Sequence, residues 1–398
     1  MNVAGTVRAL TDTLVLRDAV RLVDTLWFPR PHSWWRDVPV GLVVGFVSGL
    51  AASLVAEWLW RKHLAASARD VLRRIHSVTH RLSVARESFS VGPLELDVTM
   101  WRGLAIKDKG DRGWRLDDVE MRWTDETKAW NSKLLSYVRK EWAAAGHADT
   151  RQELEADPRC GVWKMATKMQ RGQVVPTITL YRTDYDKFLV LNQGWRKLHD
   201  AEFDVEQRVF QGDGYKYLER SLLSNDLGTG TTVITSDNKV ILSDRTQKHA
   251  VLRGLYHTSI HEGMLPKQDL VGDAKSPFAT IVRGARHEME LTIDIKDVRV
   301  LAFCMYRPFA QPYIVAEVRV PETAEKVMEL AKKRTNPEST LVPENFSVRG
   351  LAVYLLGAEK GPVTADSARL CLLLSLISHY GREQVAEDLY REAMRLAG

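Results

Sequence analysis

The chain has 398 residues, 45% of them hydrophobic and 27% charged, a balance that excludes a mainly disordered protein. Lys and Arg number 56 against 51 Asp and Glu, and the resulting charge of +5 suits an anionic membrane surface as well as nucleic acid, so no specific nucleic-acid binding is indicated. Three widely spaced cysteines (Cys160, Cys304, Cys371) exclude a disulfide framework or a CxxC metal knuckle and fit a reducing compartment.

Residues 1–36 read as an amphipathic segment. Val3, Val7, Leu10 and Leu14 share one helical face, and Leu16, Val20, Val23 and Trp27 a shifted one, before Pro29 and Pro31 end the pattern. An in-plane interfacial helix and packing on a soluble body are both open for it.

Residues 37–60 read as a transmembrane helix. Val38–Ala56 is uncharged for 19 residues, which at ~1.5 Å per residue spans roughly 28 Å of a ~30 Å hydrocarbon core. Trp34 and Trp35 before it, with Trp58 and Trp60 after it, supply the indole anchors of a single-pass span. Gly41, Gly45 and Gly49 repeat at every fourth position, a small-residue stripe that lets two helix backbones approach and implies a homodimer or higher oligomer. Flanking Arg and Lys are nearly balanced. Orientation therefore rests on the reduced cysteines and the large body beyond residue 61, which place the C-terminal domain in the cytoplasm.

Residues 61–172 read as a basic stalk helix followed by a mixed α/β scaffold, with a helix expected over 126–145. From 173 to 398 the pattern changes. Strands are expected at 176–181, 187–192, 231–236 and 239–244, with Asp237-Asn238 as the turn between the last two. A strand-like run at 252–260 and a turn-rich stretch from Glu262 to Pro277 lead into a helix at about 278–291. Strands at 298–306 and 313–320, a helix at 322–333, a strand at 349–356 and a helix at 364–397 complete the chain. Strands around one central helix, with more helices outside, describe an α/β sandwich.

Two glycine pairs, Gly212 with Gly214 and Gly228 with Gly230, match no phosphate-loop or dinucleotide fingerprint and read as turns. His257 and His261 stand four apart beside Glu262, a spacing that allows shared metal ligation on one side of a helix or strand.

The stretch 257–293, HTSIHEGMLPKQDLVGDAKSPFATIVRGARHEMELTI, resembles the Nudix hydrolase family, whose box reads G-x5-E-x7-R-E-U-x-E-E-x-G-U with U apolar. The hairpin VITSDNKVIL before it and VLAFCMYRPFAQPYIVAEVRV after it resemble that family's sheet strands. The resemblance covers 173–398 and implies a Nudix-like α/β/α sandwich with a loop-helix-loop whose glutamates hold Mg²⁺ or Mn²⁺ against a pyrophosphate. Arg283 matches the box arginine, and Glu288 matches one of three metal carboxylates. Gly284 and His287 stand where the other two belong, and Glu290 replaces the glycine. Arg283 lies 20 positions after Gly263 where the box has 14, so six residues are inserted. The upstream glutamate's place falls on Lys275 counted back from Arg283, or on Asp269 counted forward from Gly263.

The resemblance therefore implies Glu288, His287 and Glu262 as metal ligands, Glu288 and Glu262 as catalytic carboxylates, and Arg283 as the residue steadying the site. Glu290, Asp269 and Asp273 are further carboxylates in reach. A membrane-anchored sensor or effector that binds a nucleotide or nucleoside-diphosphate derivative, an active metal-dependent diphosphatase, and a protein-binding scaffold are the three readings. The first is similar in architecture to bacterial antiviral systems that join nucleotide sensing to membrane helices.

Overall fold

A computed structural model describes residues 88–128, 158–192, 208–245, 254–334, 339–357 and 362–397, all within the unit Arg86–Gly398. The amphipathic segment, the span at 37–60, its glycine stripe, the stalk helix and the expected helix at 126–145 lie outside the described residues. Among the described residues no helix is long and apolar enough to cross a membrane.

Among the described residues there are fifteen strands. A small hairpin, β1 (Phe89–Val91) with β2 (Leu94–Leu96), precedes β3 (Val98–Ala105). Strands β4 (Glu120–Trp123), β5 (Pro158–Gln170) and β6 (Gln173–Asp184) form a three-stranded sheet ordered β4-β6-β5. Arg171 and Gly172 turn the β5–β6 hairpin with φ of 51° and 79°, the left-handed pair a two-residue turn requires. The division drawn at 172/173 from sequence runs through this turn. Thus the scaffold half and the second half share one sheet.

The main sheet is built from β7 (Gly228–Ile234), β8 (Lys239–Arg245), β9 (Tyr256–His257), β10 (Ile260–Gly263), β13 (Arg299–Tyr306), β14 (Gln311–Arg319) and β15 (Ser339–Asn345), with β3 at one edge. Its order is β15-β8-β7-β14-β13-β3. Strands β14 and β7 run parallel and the remaining pairs antiparallel. Beyond their hairpin turn β7 and β8 part, and the chain crosses between them: β9 pairs with β8 and β10 with β7. Thr258 and Ser259 pin that crossing. The Thr258 hydroxyl donates to the Thr231 carbonyl at 2.7 Å and the Ser259 hydroxyl to Ile241 at 2.5 Å, while Ser259 Oγ accepts from the Val233 N–H at 2.8 Å.

Helices cover both faces, giving a mixed α/β architecture in three layers. On one side lie α1 (Pro277–Met289) and α2 (Ala324–Ala331), packed on Ile314, Ala316 and Val318 of β14. On the other lie α3 (Val348–Leu356), α4 (Asp366–Tyr380) and α5 (Arg382–Ala397), packed on Tyr313 and Val315. Alternate residues of one strand thus feed two separate cores, as the two-residue period dictates.

Several expectations change. The run KFLVLN continues from Tyr185–Lys187 as a helical turn, and Phe188, Leu189 and Leu191 are buried. The run RGLAVYLL is helix α3, capped by Ser347, whose side chain accepts from the Gly350 N–H. Short apolar runs fit either period, and this cap decides the second case. Gly381, at φ 93°, breaks the expected helix 364–397 into α4 and α5. Gly228 and Gly230 are strand residues of β7, not turns. A Cβ at Gly230 would lie 2.7 Å from Cys371 Sγ and against the Tyr313 hydroxyl, so the missing side chains let Tyr313 lie across the strand.

Candidate metal centre on helix α1 and strand β10

Helix α1 starts where its sequence demands. Ser276 Oγ accepts from the Phe278 N–H at 3.3 Å, and Pro277 follows at the first helical position. Phe278, Ile281, Ala285 and Met289 anchor it in the core. Gly284 faces β10, and a Cβ there would meet Ile260 Cγ2 and, at 2.8 Å, Glu262 Cγ. The Glu262 side chain therefore fills the space that a residue larger than glycine at 284 would claim.

This approach joins three predicted site residues. Ligand atoms of Glu262, His287 and Glu288 all lie within 4.8 Å of one another, and among the described residues they form the group able to hold a metal ion. Glu288 is buried and Glu262 half-buried, whereas the His287 side chain is 54% exposed. Glu262 Oε1 lies 3.1 Å from His287 Nδ1, and its Oε2 accepts from Arg283 Nη1 at 3.0 Å. Burial pushes the Glu262 carboxyl up, but His287 and the Arg283 guanidinium outweigh it and hold the group below its ordinary value.

Arg283 is the hub. Its Nε donates to Asp269 Oδ1 at 2.7 Å, and its Nη2 to Asp269 Oδ2 at 3.2 Å and to the Gly263 carbonyl at 2.9 Å. Burial works against the guanidinium's charge, yet Asp269 and Glu262 raise its pKa above the usual arginine value. Asp269, fully buried, also accepts from the Leu265 N–H at 2.7 Å and the Thr280 hydroxyl at 2.9 Å. Of the two counts made from sequence, the forward one from Gly263 finds the arginine's carboxylate partner. Lys275 instead sits over the Trp123 ring, 3.9 Å from its centroid.

The six extra residues have a defined place. Strands β11 (Leu270–Val271) and β12 (Ala274–Lys275) form a hairpin over 270–275, and the Ser276 N–H closes its base on the Asp269 carbonyl at 2.9 Å. The insertion is looped out while Asp269 and α1 keep their contact.

No protein-family model matches the chain, and no curated protein matches it. Among solved structures, the chain is similar to DR0079 from Deinococcus radiodurans, with 15% identity, 38% of this chain and 82% of that chain covered, and a TM-score of 0.27. It is also similar to a MutT/nudix family protein from Enterococcus faecalis, with 10% identity, 43% of this chain and 73% of that chain covered, and a TM-score of 0.26.

The remaining candidates stand apart from the three ligands. Asp273 is exposed at the tip of the hairpin, and Glu290 is exposed at the end of α1, where it takes a left-handed conformation (φ 53°). His257 and His261 pack edge to face, centroids 4.5 Å apart. His261 lies 5.8 Å from the Tyr313 ring, on the sheet face opposite α1, and 3.3 Å from Arg245 Nη2. A buried and a half-buried carboxylate with an imidazole between strand and helix are a donor set that fits a divalent cation.

Proposed function

We propose that this chain is a membrane-anchored Nudix-like protein that binds a nucleotide or nucleoside-diphosphate derivative through a divalent cation held by Glu262, His287 and Glu288, and that it senses the ligand with weak or no turnover. The observation that carries this reading is the meeting of Glu262 from β10 with His287 and Glu288 from α1. Glu262 supplies a carboxylate beside the position that Gly284 leaves without one. A dication bound there neutralises diphosphate oxygens, the chemistry such a ligand requires.

Weak turnover is supported by how the carboxylates are engaged. Glu262 is committed to Arg283 through one oxygen and to the cation site beside His287 through the other, and Asp269 is spent on Arg283, Thr280 and the backbone. A general base needs an accessible lone pair aimed at its water. On this reading residues 37–60 anchor the protein through a single span, Gly41, Gly45 and Gly49 bring copies together, and the C-terminal domain faces the cytoplasm.

Titration calorimetry of the full chain with a panel of nucleotides and nucleoside diphosphates, with and without Mg²⁺ or Mn²⁺, tests the proposal. Metal-dependent binding without product is expected. Product formation would make the protein a working diphosphatase, and silence across the panel would leave a scaffold.

A further inference from the structure

The donor atoms of the site bear on which cation it takes. Mg²⁺ favours hard oxygen ligands and keeps several waters, whereas imidazole suits borderline transition-metal dications. The ligand set is two carboxylates and one imidazole, and its oxygens come from different elements, Glu262 from β10 and Glu288 from α1. Gly284 is what allows it: with no side chain there, the strand carboxylate reaches the helix beside His287. His287 is held at 3.1 Å by Glu262 Oε1, so the imidazole is already oriented among the ligands. Donor atoms within 4.8 Å of one another need side-chain adjustments of roughly 1–2 Å to reach the ~3–3.4 Å spacing that bonds of ~2.1 Å impose around one ion.

Resting on the metal-site reading above, we infer that the site discriminates for a borderline transition-metal dication, of the Co²⁺ or Zn²⁺ kind, over Mg²⁺, and that His287 is the discriminating ligand. The selectivity comes from a nitrogen donor at a position where the box resemblance implies a carboxylate. It also predicts which substitution reverses it.

The experiment loads the full chain with Mn²⁺ and measures pulsed electron paramagnetic resonance, alongside competitive titration of Mn²⁺, Co²⁺ and Mg²⁺. The wild type is expected to show nitrogen coupling from one imidazole and to bind Co²⁺ at least ~10²-fold more tightly than Mg²⁺. His287→Glu should abolish the coupling and narrow the Co²⁺/Mg²⁺ ratio by ~10-fold or more, with Mg²⁺ binding improved. Nitrogen coupling absent from the Mn²⁺-loaded wild type, or an unchanged ratio in His287→Glu, overturns the selectivity while tight binding lost in Glu288→Gln keeps the site. If a Glu262→Gln, Glu288→Gln double variant binds every cation as the wild type does, the site reading itself fails, and the selectivity with it.

Discussion

Asp269 and Arg283 stand 14 positions apart in sequence, yet the arginine's Nε meets the carboxylate at 2.7 Å because the hairpin between them folds back on its own base. The pair ties the loop after β10 to helix α1 and leaves the arginine's Nη1 for Glu262. One guanidinium thus neutralises two carboxylates, one of them fully buried.

Removing that cation should be costly. Arg283→Met keeps the aliphatic stem but leaves Asp269 and Glu262 without the cation they share. Breaking a buried pair from one side typically costs ~3–5 kcal/mol, and about 3 kcal/mol is expected here because the arginine side chain is 21% exposed. Arg283→Lys should recover only part of it, since one ammonium cannot span both carboxylates as the fork does. Urea unfolding of the three proteins checks this, and a loss below ~1 kcal/mol for Arg283→Met would remove the pair from the fold's supports.

Deleting residues 270–275 should be tolerated. Asp269 and Ser276 are already joined by a backbone hydrogen bond, so the cut ends nearly meet. The loss falls on the hairpin's contacts, chiefly the Lys275 ammonium over Trp123, worth ~0.5–1 kcal/mol at an exposed site. Thermal unfolding should shift by a few degrees and Mn²⁺ affinity by less than about threefold. Collapse of the fold would show the insert to be structural.

Glu290 occupies a left-handed position at φ 53° at the end of α1, where its N–H reaches back to Ala285 and Arg286. Glycine adopts that conformation without a Cβ penalty and is the usual residue there. Glu290→Gly should therefore stabilise the protein by ~1 kcal/mol, raising Tm by about 2–4 °C. A lower Tm would mean that the exposed carboxylate contributes more than the backbone conformation costs.

Acid sensitivity should trace in part to Glu317 on β14. Burial raises its carboxyl, but the His379 hydrogen bond and the Arg299 charge prevail and hold it below the ordinary 4.5. Arg319 bonds His379 from the same strand, and Ser378 bonds Arg299. A depressed carboxylate contributes stability that is present above about 4.5 and lost as pH falls through the folded value, because the unfolded chain takes the proton first. Unfolding free energies between pH 7 and pH 3 should therefore fall more steeply in wild type than in Glu317→Gln. Parallel curves would assign the drop to other carboxylates.

Helix α1 was readable from sequence because Ser276-Pro277 marks its start and Phe278, Ile281 and Ala285 keep its period. The β7–β8 turn was readable because Asn238 tolerates its φ of 55°. The helix α3 was not, since a short apolar run carries no period of its own and Ser347 was the one local signal, nor was β15, whose STLVPEN is mostly polar and interrupted by Pro343. At the site, the family resemblance pointed to Glu262, His287 and Glu288, and their ligand atoms lie within 4.8 Å of one another. Spacing could not choose between Asp269 and Lys275 for the upstream glutamate's place. An insertion shifts every count across it, and its location becomes visible only when the loop closes in space.

The crossing of β9 and β10 between β8 and β7 makes the ligand set a matter of phase. Side chains alternate along β10: Ile260 and Glu262 meet the helix at Gly284, while His261 faces Tyr313. A slip of one residue would invert that order, turning His261 and Gly263 towards α1 and Glu262 away. The hydroxyls of Thr258 and Ser259, bonded to Thr231, Ile241 and Val233, are the ratchet that forbids it. Two small alcohols, each donating to a carbonyl of a different strand, thereby decide whether the helix looks onto a carboxylate or an imidazole.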